Sequence, residues 1–117
     1  MPDTRTEDFP SPILRRLEGL LSAGQDSPVL RFSLGTAWMS HDSQRAADHF
    51  RAALALDKTY SAAWKALGKA LLAAEDREGA AAAWSAGIGA AEARGDVQAG
   101  KEMRVFLRRL SSGGPAH

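Results

Sequence analysis

The chain has 117 residues, 44% hydrophobic and 25% charged, with a formal net charge of +1. That length suits one domain with a modest core, and so balanced a charge argues against a general polyanion binder, whose affinity needs clustered cations. With no cysteine, disulfides and thiolate metal sites are excluded.

Residues 1–10 are polar and contain Pro2 and Pro10, which predicts a disordered tail. They lack the basic start and apolar run of a secretory signal. No segment approaches the ~18 consecutive apolar residues of a membrane span, so the expected address is the cytoplasm and no membrane partner is expected.

From there every segment has helical period. Ser11-Pro12 opens a first helix, serine supplying an N-cap acceptor and proline a preset φ. Ile13, Leu14, Leu17, Leu20 and Leu21 form one apolar stripe, and Gly24 is a stop. Ser27-Pro28 repeats the start signal for a second helix through Leu30, Leu34 and Trp38 to about Ser40. After the polar turn His41-Asp42-Ser43, a third helix carries Ala46, Ala47, Phe50, Ala53, Leu54 and Leu56. A break at Asp57-Lys58-Thr59 precedes a fourth helix with Trp64, Leu67, Leu71 and Leu72. Glu75-Asp76 ends it, and an alanine-rich fifth helix runs from about Arg77 to Arg94. Gly95-Asp96 is a stop and a new N-cap. The sixth helix, about Val97 to Leu110, aligns Ala99, Met103, Phe106, Leu107 and Leu110, and Ser111 to His117 reads as a second tail.

A repeat underlies these helices. Ala46, Phe50, Ala53 and Leu54 match Ala80, Trp84, Gly87 and Ile88, each 34 positions on. Leu34, Gly35 and Trp38 match Leu67, Gly68 and Leu71, each 33 positions on. The one-residue difference falls in the turn between Trp38 and Ala46, where it leaves both helices in phase.

These residues resemble the tetratricopeptide repeat, W-x2-L-G-x2-Y, then A-x3-F, then P. The second copy reads Trp64-x2-Leu67-Gly68-x2-Leu71, then Ala80-x3-Trp84; the first reads Arg31-x2-Leu34-Gly35-x2-Trp38, then Ala46-x3-Phe50. Large residues fill the space between paired helices, while glycine and alanine let backbones approach. Arg31 replaces the first tryptophan, with Leu30 as its substitute, and Lys58 and Glu92 replace the closing prolines. The layout, including Arg94-Gly95-Asp96 and Val105-Phe106-Leu107-Arg108-Arg109, is similar to that of short bacterial members, which implies a fold and no assigned activity.

The resemblance implies an all-α, right-handed superhelix of antiparallel hairpins in a single domain over residues 11–110. Within it, 11–24 is a capping helix, 27–58 the first repeat, 60–94 the second repeat and 96–110 a C-terminal capping helix. Residues 1–10 and 111–117 are tails. Two repeats alone leave apolar faces open at both ends, and the outer helices are the natural covers.

No catalytic constellation emerges, and neither an enzyme activity nor a cofactor or metal is expected. Gly95-x4-Gly100-Lys101 approaches a phosphate-binding loop, but Glu102 stands where a hydroxyl is needed and no strand precedes it. Gly87-Ile88-Gly89 lies mid-helix. His41, Asp42 and Ser43 are neighbours in sequence and cannot form a hydrolase triad. His41 and His49 lack further ligands, Glu75, Asp76 and Glu78 are helix-start charges, and the tripeptide Arg94-Gly95-Asp96 is a helix corner.

The expected activity is binding of a protein or peptide, as an adaptor or scaffold. The resemblance places the groove on Val29, Phe32, Thr36 and Met39 of the first repeat and on Ala62, Lys65, Lys69 and Leu72 of the second. Lys65 and Lys69 share a helix face with no acid beside them on that helix, and Arg104 and Arg108 extend that face. A groove apolar at one end and basic at the other suits a peptide with carboxylates. Ser33 and Ala66 occupy the asparagine-type slots of the family's carboxylate clamp, so that clamp is not expected. Two alternatives accompany this reading. The last helix, with Lys101, Arg104, Arg108 and Arg109 against Asp96 and Glu102, offers a weak nucleic-acid or acidic-surface footprint. Exposed Val29, Phe32 and Met39 offer a homodimer contact.

Overall fold

A computed structural model describes residues 9–113; the tails expected over residues 1–10 and 111–117 lie largely outside them. The described residues form six helices: α1 (Pro12–Ser22), α2 (Pro28–Trp38), α3 (Ser43–Leu56), α4 (Ser61–Ala73), α5 (Arg77–Arg94) and α6 (Val97–Ser111). No strand occurs among the described residues. Each helix packs on the next in chain order, and α4 also touches α6. The result is an all-α stack with extents of 52 × 33 × 18 Å.

Local chemistry sets the boundaries. Ser11 and Ser27 accept hydrogen bonds from the Leu14 and Leu30 amides at 3.3 and 3.0 Å, with proline in the first turn of each helix. Asp42, Asp76 and Asp96 accept from the amides of Arg45, Gly79 and Ala99. Gly24 and Gly95 close α1 and α5 at φ 86° and 78°. At the end of α4 the same left-handed position is held by Glu75, φ 65°, although it carries a Cβ. There the Asp76 amide donates to the Leu71 carbonyl at 2.8 Å, capping the helix as a glycine would.

The core repeats with the sequence. Each of the two repeats sets a glycine on its first helix against an aromatic on its second. A methyl at Gly35 would lie 2.5 Å from the Phe50 ring, and one at Gly68 would collide with the Trp84 indole. Phe50 and Trp84 are buried. At the third junction Gly87 faces Met103 of α6 and Trp64 of α4. Leu30 is buried, as its substitute role requires, and Arg31 pairs with Asp26 at 2.8 Å. Trp64 differs from Trp84: it is only partly buried, its indole donating to the Lys58 carbonyl at 2.8 Å near the surface.

The corner Arg94-Gly95-Asp96 joins three elements. Arg94 donates to the Thr59 carbonyl at 3.0 Å and pairs with Asp57 at 3.3 Å. Asp96 caps α6 and also accepts from the buried Ser61 hydroxyl at 2.6 Å. Both charged residues of the tripeptide therefore tie the second hairpin together.

Candidate functional site

On α2, Val29, Phe32 and Thr36 follow at three- and four-residue spacing and share one side of the helix. Val29 is 65% exposed and Thr36 is exposed. Phe32 is half-buried because its ring packs on Phe50 and Tyr60, with centroids 5.6 and 5.2 Å away. Met39, the residue after α2, is half-buried against the core.

An apolar groove of about 460 Å³ runs between α1 and α2, lined by Ile13, Leu17, Phe32, Ser33, Thr36 and Ala37. Helix α1 is thus a wall of the groove as well as a cover for the stack. Of its apolar stripe only Leu14 is fully buried; Leu17 and Leu21 pack at the edge, while Ile13 and Leu20 stay exposed. The signal lay in the stripe's width: five large apolar residues on an 11-residue helix exceed what one packed neighbour covers.

On α4 the structure corrects the reading of two unneutralised lysines. Lys65 Nζ lies 2.8 Å from Glu102 Oε1 of α6. A search for acids along one helix does not reach a partner 37 residues away. Lys69 lies over the Phe106 ring, 5.1 Å from its centroid, a cation–π contact. It is exposed and forms no ion pair among the described residues. Ala62 and Leu72 are half-buried.

Arg104 and Arg108 are not brought to this face. Glu102 and Phe106 are the α6 residues that meet the lysines, and each arginine is two positions further on, about 200° around the helix. Arg104 instead pairs with Glu92 of α5 at 2.6 Å. Its extension of the lysine face fails because α6 turns a different side toward α4. Among the described residues no helix is long and apolar enough to cross a membrane.

No family model matches the chain. It is 46% identical to TPR repeat-containing protein PA0015 of Pseudomonas aeruginosa over 99 residues, covering 84% of this chain and 94% of that one. The fold is similar to the solution structure of protein BPP2914 from Bordetella parapertussis, with a TM-score of 0.76 and 49% identity. That match covers 88% of this chain and 90% of the other.

Proposed function

The chain belongs to the tetratricopeptide-repeat family, and from that premise we propose that it is a protein–protein interaction module. It holds a peptide segment against the α1–α2 groove, with an apolar side chain in the groove and a carboxylate directed toward Lys69. One pairing of features carries this reading: an open apolar groove containing Phe32 and Thr36, and a cation on the corresponding helix of the next repeat with no ion-pair partner among the described residues. The 33-residue offset relates Lys69 to Thr36, so the two occupy equivalent positions. Apolar burial supplies affinity, while the cation selects and orients the ligand.

The test is a panel of short peptides with apolar anchors and acidic, neutral or basic flanks, followed by NMR shift mapping. Acidic members bind best and perturb Ile13, Leu17, Phe32, Thr36 and Lys69. Lys69→Glu moves the preference toward basic flanks. Binders that perturb only α3 and α5 would overturn the assignment.

A homodimer is the second reading, favoured by the exposure of Ile13 (50%), Leu20 (38%) and Val29 (65%) near one end of the stack. Apolar clusters of this kind mark interfaces. A sedimentation mass that stays monomeric with rising concentration removes it.

A further inference from the structure

We infer that His49 is a protonation-sensitive lock that holds α1 against the first repeat and so determines whether the α1 wall of the groove is in place. Its consequence for ligands rests on the groove reading above; the lock itself does not.

His49 lies on α3 with its side chain 14% exposed, and it bridges two helices. Its Nδ1 is 3.2 Å from Arg31 Nη1 of α2. Arginine has only donors, so Nδ1 must accept, and the neutral ring carries its proton on Nε2. That nitrogen is 3.6 Å from Glu18 Oε2 of α1. The same carboxylate oxygen accepts from the Trp38 indole of α2 at 3.2 Å. Arg31 is anchored in turn: Nε and Nη2 donate to the two Asp26 oxygens at 2.8 and 3.1 Å. A chain of contacts from Asp26 through Arg31 and His49 to Glu18 thus fastens α1 to α2 and α3.

Protonation breaks the middle of that chain. Nδ1–H would meet a guanidinium N–H, donor against donor and cation against cation, and Arg31 cannot withdraw without leaving Asp26. Four further charges bear on the ring. Glu18 and Asp48 favour the proton; Arg31 opposes it, and Asp26 acts through Arg31. Arg45, one turn earlier on α3, is held over the Trp38 ring at 4.8 Å. Burial outweighs Glu18, and with Arg31 it keeps the imidazole below the ordinary histidine range. The unfolded chain therefore takes the proton more readily. The contribution of His49 to docking is complete above about pH 6.5, and is lost as pH falls from there through the folded-state value.

The element that yields is α1. It buries one residue fully, Leu14, whereas each other helix buries at least three. Local opening begins where least apolar surface is lost. Opening of α1 takes Ile13 and Leu17 out of the groove.

Hydrogen exchange of α1 amides between pH 7.5 and 5, corrected for the intrinsic chemical rate, tests the lock alongside the His49 ring titration by NMR. In the wild type the α1 opening constant rises as His49 takes up its proton, by up to about tenfold per pH unit, while α4 and α5 keep their protection. His49→Gln, which has no charge to gain, gives a flat profile. Glu18→Gln removes the attraction for the proton and moves the opening midpoint to lower pH. A wild-type opening constant indifferent to His49 titration, an equal acid response in His49→Gln, or an unmoved midpoint in Glu18→Gln overturns the inference. Exchange reports α1 docking without a ligand, so failure of the lock leaves the groove reading intact, and a groove that binds no peptide leaves the lock standing.

Discussion

Trp84 packs against the bare face of Gly68 and donates its indole N–H to the Lys65 carbonyl at 3.1 Å. One side chain thereby fills the space the glycine leaves and bonds to the helix it rests on. Trp84→Ala is expected to destabilise by about 3–5 kcal/mol through the cavity left behind. Gly68→Ala, which forces the indole aside, is expected to cost about 1–3 kcal/mol. Trp64→Ala should cost roughly half as much as Trp84→Ala, because part of its surface is already in water. Urea unfolding followed by circular dichroism separates the three; equal losses for the two tryptophans would contradict their unequal burial.

Lys65 and Glu102 connect α4 to α6, which changes how groove charge is tested. Lys65→Glu would set two carboxylates against each other and disturb packing, so reversing both lysines together confounds folding with binding. Only Lys69→Glu isolates the groove. The Lys65–Glu102 pair, with side chains 28% and 38% exposed, is expected to couple by about 0.2–1 kcal/mol. A double-mutant cycle with Lys65→Ala and Glu102→Ala in low and high salt measures it, and the coupling shrinks in high salt.

Ser61 and Asp96 set an acid limb of stability. The Ser61 hydroxyl, and after it the Ala99 amide, hold the Asp96 carboxyl below its ordinary value. A depressed carboxyl contributes stability that is complete above about pH 3.8 and lost as pH falls through the folded-state value. Ser61→Ala should lower the melting temperature by about 4–8 °C near neutrality. That deficit should narrow below pH 4. A deficit that is constant from pH 7 to pH 3 would assign the effect to packing alone.

Much of the fold was legible because its determinants are local. Ser11-Pro12, Ser27-Pro28 and Gly95-Asp96 mark helix ends within two residues. The 33- and 34-residue matches disclosed which glycine meets which aromatic. The site was less legible because its contacts join distant residues. Nothing near Lys65 points to Glu102, and nothing near His49 points to Glu18 or Arg31. The arginine at the first tryptophan slot looked like a lost aromatic; folded, it anchors a polar chain that reaches α1. Arg104 and Arg108 were misplaced because periodicity gives the faces of a helix without saying which face meets which neighbour.

Gly87 and Gly89 share a helix and differ in what surrounds them. A methyl at Gly87 would stand 2.5 Å from Met103 Sδ and 2.6 Å from Trp64 Cβ; at Gly89 it meets nothing within 4 Å. Gly87 is thus a packing residue where α5 meets α4 and α6, whereas Gly89 is an exposed glycine that weakens its helix by its freedom in the unfolded chain. Gly89→Ala is expected to stabilise by about 0.5–1 kcal/mol. Gly87→Ala should lose about 1–3 kcal/mol as Met103 and the Trp64 backbone are pushed apart. Chemical unfolding of both variants decides it: a stabilising Gly87→Ala would mean that α6 can move away from α5 at no cost, and a destabilising Gly89→Ala would mean that its face is covered.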